Sequence, residues 1–216
     1  MATIGDVLDE FFSPFSQERL WIMPESDEYT KIVLQWQPVI SAVNQIKADA
    51  VNNCAFWQAS YRTNPAWQPA KTDAPKPGAH RKFVGSPPGT EPQTCKHAFV
   101  LYVTTKAATA TVGIVSPVLS VIPPVQTRNL FTCSIGSFDI YTTAAQIDCA
   151  GKRARLNFWM YNNMSKRSFG VFANDPVFFA CGMKSQYMWW NWEDSIEWSR
   201  GLINTLPKTA VRRSSW

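Results

Sequence analysis

The chain has 216 residues, 45% of them hydrophobic, and a net charge of +5, enough apolar material for one domain with its own core. No apolar run reaches the roughly 18 residues that suggest a membrane-spanning helix. HExxH, GxSxG, a Walker loop and GxGxxG are all absent, and neither His80 nor His97 is placed by sequence beside a nucleophile, so the expectation is a non-enzyme.

The N-terminus, MATIGDVLDEFF, carries acids where a secretory signal would carry bases. Production in the cytoplasm, or secretion and release toward a target membrane, are both open readings. Ile4, Val7, Leu8, Phe11 and Phe12 recur at helical spacing and predict a short amphipathic helix over 3–12. A second helical stripe runs over about Glu28–Ala50 through Ile32, Trp36, Val39, Ile40, Val43 and Ile46. Pro38 interrupts it. Proline lacks a backbone donor and clashes with the preceding turn, so a kink or a fresh helix start is expected there.

Residues 64–94 hold seven prolines, which predicts a long loop or a pair of extended edge segments. From Phe99 to about Phe179 the runs AFVLYV, TVGIVSPVLSVI, NLFTCSI, FDIYTTAAQI, RLNFWMY and FGVF read as strands. The expected fold is therefore mainly β: an antiparallel β-sandwich, flanked by N-terminal amphipathic helix and a short C-terminal Trp-rich segment. Its expected parts are a helical region over 1–50, the sandwich over 51–200 and a basic polar tail over 201–216.

Five cysteines stand at 54, 95, 133, 149 and 181, with no CxxC pair, so no metal site is expected. Cys133 and Cys181 lie in apolar runs and read as buried thiols; export would permit one or two disulfides. The segment YMWWNWEDSIEW offers Trp189, Trp190 and Trp192 as membrane-contact candidates, because indole suits half-wet interfaces. The alternative is that these rings cover one end of the core.

An ordered series of short motifs runs through the chain: FVLY (Phe99–Tyr102), TATVGIVS (Thr109–Ser116), LFTCSIGSFDIY (Leu130–Tyr141), WMY (Trp159–Tyr161) and CGMKSQYM (Cys181–Met188). In order and spacing they resemble the actinoporin-like family of pore-forming cytolysins. That resemblance implies a sandwich with a phosphocholine site, where aromatic rings surround the ammonium and hydroxyls hold the phosphate. The matching lipid- or ligand-binding positions are Thr63, Val112, Ser134, Tyr141 and Tyr161, with Gly136 where the family has a proline. The family's exposed tryptophan pair is replaced by Thr142–Ile147, its tyrosine pair by Ser165 and Lys166, and its Arg-Gly-Asp triplet is missing.

The first reading is thus a membrane-binding pore former that docks through the sandwich and inserts an amphipathic helix, several copies lining a pore. The partners would be a lipid membrane, through choline or another headgroup, or a glycan, with a homo-oligomer and no cofactor. A second reading is a non-lytic, lectin-like binding module for glycan or lipid headgroup. A third is a self-assembling coat protein, the one case in which nucleic acid would be a partner. The resemblance also implies that Ser134, Tyr141 and Tyr161 line one concave site, and that Glu28–Ala50 detaches without unfolding the sandwich.

Overall fold

Three long antiparallel strands carry the fold: β3 (Phe138–Asp148), β4 (Arg153–Met164) and β5 (Gln186–Ser199). The structure is a computed structural model that describes residues 3–64, 67–72, 76–87, 91–112, 124–167, 174–199 and 202–204. Side chains at 92, 108–112, 124–129, 199 and 202–204 are not described. The edges of the sheet are β1 (Arg19–Met23), parallel to β5, and β2 (His80–Val84), antiparallel to β3. The order is β1-β5-β4-β3-β2, with the short β6 (Leu202–Asn204) also paired to β5. One mixed sheet with helices packed on it makes a mixed α/β fold among the described residues, in place of the expected two-sheet sandwich.

Both helical stripes expected near the N-terminus form helices, but the strand β1 stands between them, so residues 1–50 are not a purely helical region. Helix α1 (Ile4–Phe12) opens with a capping box: the Thr3 hydroxyl accepts from the Asp6 N–H, and the Asp6 carboxylate accepts from the Thr3 N–H at 2.7 Å. All five residues of its apolar stripe are buried. The second stripe divides at the proline. Helix α2 (Glu28–Leu34) is capped by the Asp27 carboxylate, and α3 (Gln37–Asn52) restarts with Pro38 in its first turn, where the missing N–H costs nothing. A short α4 (Cys54–Ser60) follows. In the proline-rich region, β2 is an edge strand, the sheet position that proline-flanked segments favour.

Two runs expected as strands are helices. AFVLYV belongs to α5 (Pro92–Val112) and NLFTCSI to α6 (Pro124–Ile135). In α5 the buried residues are Cys95, Ala98, Phe99 and Tyr102, a helical i, i+3, i+4, i+7 set. In α6 they include Leu130, Phe131, Ser134 and Ile135. β-Branched and aromatic residues favour strands only weakly, and packing against the sheet overrides that preference. Helix α6 stops at Gly136, whose φ of 56° is the left-handed conformation glycine adopts at a helix C-terminus. The strand expectations for FDIYTTAAQI and RLNFWMY hold as β3 and β4; FGVF lies outside the described residues, as does most of the basic tail.

The helices cover one face of the sheet. Leu8, Phe11, Val39, Ile46, Trp57, Phe99 and Leu130 form one continuous core with Ile140, Leu156, Phe158, Met160, Trp190 and Trp192 of the strands. Residues 4–50 therefore share a core with the sheet. Two disulfides tie distant segments together: Cys54–Cys149 joins the start of α4 to the β3–β4 turn, and Cys95–Cys133 joins α5 to α6. Cys133, expected as a thiol, is thus paired, while Cys181 keeps its thiol, half-buried, with burial holding its pKa above the ordinary value. Gly182 fits because its backbone lies against Ser13 and Ser16; an added Cβ would meet the Ser16 Cβ at 2.7 Å.

One ion pair is buried in this core. The Lys47 ammonium of α3 sits 2.6 Å from the Asp194 carboxylate of β5, both side chains nearly shielded from water. Removing one partner leaves a charge without compensation, whereas replacing both with apolar groups does not. We expect Lys47→Ala to lower unfolding free energy by about 3–5 kcal/mol, and Lys47→Met with Asp194→Leu to restore most of it, read by urea denaturation.

His80 stacks on Trp57 at 5.0 Å and meets Tyr61 edge-on at 5.4 Å. Burial holds its pKa below the ordinary value; Asp49 pulls it up and Lys82 pulls it further down. The unfolded chain then binds the proton more readily than the folded one, so stability is complete above the unfolded value of about 6.5 and declines as pH falls below it. Melting temperatures measured from pH 7.5 down to about 5 should show this decline in the parent chain and a flatter profile in His80→Leu.

Candidate functional site

Strand alternation sends every second residue to the face away from the helices. Register places Asp139, Tyr161 and Trp189 opposite one another across β3, β4 and β5, and Tyr141 opposite Trp159. These rings build a second, smaller cluster. Tyr141, Tyr161 and Trp189 are buried at its centre, with Leu20, Trp67, Ala79, Trp159 and Tyr187 packed around them, partly exposed.

The cluster is covered by a segment of the proline-rich region. Trp67 meets Trp159 edge-on at 4.9 Å and Trp189 at 5.8 Å. The Trp189 indole N–H donates to the Ala70 carbonyl at 2.9 Å, anchoring that segment to β5. Tyr161 lies 4.7 Å from Trp189, and Tyr141 lies 5.7 Å from it. Two cations face the rings. Lys76 Nζ stands 5.2 Å from the Trp189 ring and 5.9 Å from that of Trp67. The Arg81 guanidinium stands 5.9 Å from the Tyr141 ring and grips Asp139 with two hydrogen bonds of 2.8 and 2.9 Å.

These cations differ in how they are held. Arg81 spans both Asp139 oxygens, a geometry that suits a planar fork. Lys76 donates to the Gln68 carbonyl at 3.4 Å, a long bond, and burial alone lowers its pKa from the ordinary lysine value. The indole N–H groups of Trp67 and Trp159 are themselves buried, and neither has a hydrogen-bond partner among the described residues. Buried donors are nearly always paired; the Trp190 indole of the helix-covered core shares this condition, but the Trp67 and Trp159 rings, unlike it, reach the surface.

The residues singled out from sequence divide across the molecule. Tyr141, Tyr161 and Trp189 meet in this cluster, as backing rather than lip. Ser134 does not join them: it lies on α6 in the helix-covered core, where its hydroxyl bonds the Phe131 carbonyl at 2.8 Å and the Tyr29 hydroxyl at 3.1 Å. The one concave site expected for Ser134, Tyr141 and Tyr161 is therefore not formed, because the residues lie on opposite faces of the sheet. Trp190 and Trp192 also point into the helix-covered core, and with Trp189 equally shielded none of the three offers a surface for membrane contact. Thr63 is exposed and its hydroxyl donates to the Ala144 carbonyl at 3.2 Å, outside the aromatic cluster. Val112 ends α5, and its side chain lies outside the described residues.

Trp67, Trp159 and Lys76 were not anticipated. Trp159 shares strand parity with Tyr161, a clue that acquires meaning only with the register of β4 on β5. Among the described residues, no group of three or more His, Cys, Asp or Glu side chains is placed to hold a metal ion, and no helix is long and apolar enough to cross a membrane. No family model, curated protein or solved structure matches this chain.

Proposed function

We propose that this chain is a non-lytic binding module that takes a sugar at the aromatic face of its sheet. The observation that carries this reading is the lip formed by Trp67 and Trp159: half-buried rings over a buried aromatic floor, with two indole donors lacking acceptors among the described residues. Ring faces pack against the C–H face of a pyranose, and an indole N–H takes a hydroxyl oxygen. Each orphan donor satisfied by a ligand recovers about 1–3 kcal/mol. The covering segment must yield for an oxygen to reach these atoms, and Trp67, carried on that segment, is the ring that would swing.

Helix detachment counts against the pore-forming reading. Lifting α1 exposes Ile4, Val7, Leu8, Phe11 and Phe12, each buried. At about 1.5–3 kcal/mol per side chain, that loss is comparable to the whole stability of a domain. Lifting α3 would also strand Asp194 without Lys47. Two disulfides favour folding in an oxidising compartment, which accords with a secreted module.

A second reading, peripheral lipid binding, draws on Phe15 and Phe179, which are 85% and 72% exposed. They flank the junction where the Gly182 N–H donates to the Ser13 carbonyl at 2.8 Å. Two bare phenyl rings on neighbouring loops suit the headgroup layer of a membrane.

A glycan array followed by calorimetry, run beside leakage of dye from loaded vesicles, separates these readings. We expect saccharide binding that falls at least about tenfold, or about 1.4 kcal/mol, in Trp67→Ala with the circular dichroism spectrum unchanged. Vesicles should retain their dye. Absence of saccharide binding would overturn the module proposed here; dye release would restore the pore former; and vesicle binding lost in Phe15→Ser with Phe179→Ser would favour the lipid reading.

A further inference from the structure

We infer that the sugar taken at this face is acidic, its carboxylate meeting Lys76 while its ring packs on Trp67 and Trp159. This rests on the sugar-binding reading and adds the chemical class of the ligand.

The argument is an inventory of donors and charge. A lysine ammonium has three donors and no acceptor, and an indole has one donor. Among the described residues around the lip, Lys76 uses one long bond of 3.4 Å to the Gln68 carbonyl, and the Trp67 and Trp159 N–H groups use none. The nearby Ala70 carbonyl accepts from Trp189, and neither lip indole donates to it. The carboxylate of the same face, Asp139, has both oxygens on Arg81. The lip thus holds more donors than acceptors, together with a positive charge that no carboxylate among the described residues offsets.

A neutral sugar supplies hydroxyl acceptors but leaves the charge of Lys76 where it is. A carboxylate supplies two oxygens, which form shorter and stronger bonds with an ammonium than neutral oxygens do. Lys76 is also partly desolvated beside the rings; a ligand anion there is screened less than one on an open surface. The rings already attract cations, as the positions of Lys76 and Arg81 show. A ligand cation would therefore compete with the chain's own, whereas an anion completes it.

The test uses the full chain and calorimetry with glucuronic acid, glucose, glucose 6-sulfate, phosphocholine and inorganic phosphate. We expect glucuronic acid to bind at least about tenfold tighter than glucose, a difference of about 1.4 kcal/mol. Raising salt should narrow the gap. Lys76→Met should weaken glucuronic acid at least about tenfold and erase its preference over glucose, and Lys76→Arg should retain it. The sulfate ester tells whether a carboxylate or any acidic group suffices, and the inference holds in either case. Equal binding of glucose and glucuronic acid would overturn the acidic specificity and leave the sugar-binding reading standing. Inorganic phosphate binding as tightly as glucuronic acid would show a general anion site and overturn it as well. Tighter binding of phosphocholine than of every sugar would overturn it in favour of a cation. If no saccharide binds, the sugar-binding reading fails, and this inference with it.

Discussion

The central sheet is buried on both faces at the end that holds Tyr141, Tyr161 and Trp189, and much of the architecture follows from that constraint. A sheet with one wet face alternates apolar and polar residues. β5 alternates only from Asn191 onward; before it Met188, Trp189 and Trp190 are shielded in succession, because Trp189 points to the aromatic cluster while Met188 and Trp190 point to the helices. The density of tryptophan in this strand, which resembles a membrane-facing belt when read linearly, is what a strand between two packed layers needs. Phe158 stacks on Trp192 at 5.4 Å on one side, and Tyr161 meets Trp189 at 4.7 Å on the other.

The two layers are built differently. On the helix side, the six α-helices of the described residues bury aliphatic and aromatic side chains in one continuous core, and covalent and charged links add to the packing. Cys95–Cys133 clamps α5 to α6, and Cys54–Cys149 clamps α4 to the far end of β3. Tyr102 of α5 donates to Asp9 of α1, which also pairs with Lys106. Burial and this carboxylate together push the Tyr102 phenol above its ordinary pKa. Such links make the N-terminal helices part of the body of the protein. On the opposite side there is no helix among the described residues, only a proline-rich segment laid over rings, with donors left without acceptors.

This asymmetry gives the functional reading its direction. A layer made of helices tied by disulfides and a buried ion pair serves stability. A layer made of a thin segment, half-exposed indoles and a weakly held ammonium has both the chemistry and the looser construction that ligand sites use. The aromatic floor of Tyr141, Tyr161 and Trp189 holds the lip in place, a supporting role distinct from the headgroup contacts implied by the resemblance to pore-forming cytolysins.

Features with a strong local cause were legible in the sequence. The stripe of Ile4, Val7, Leu8, Phe11 and Phe12 has one helical solution, Pro38 cannot continue a helix that reaches it but can begin one, and β3 and β4 are long enough to declare themselves as strands. The aromatic floor was half legible: the motifs point to Tyr141 and Tyr161 and the tryptophan density to Trp189, the last as a membrane contact, while Ser134, in the same motif run as Tyr141, lies on the opposite face. The runs around Phe99 and Leu130 were not legible, because a short apolar run suits a strand or a buried helix equally and only packing decides between them. Nor was the pairing of β1 with β5, which joins Arg19 to Gln186 across nearly the whole chain, or the choice of disulfide partners among five cysteines. Local sequence determines which segments have a face to bury. Which face meets which, and so whether a tryptophan becomes core, floor or lip, depends on strand register. Shifting register by one residue exchanges the two sides of the sheet, and only contacts between segments distant in sequence can set it.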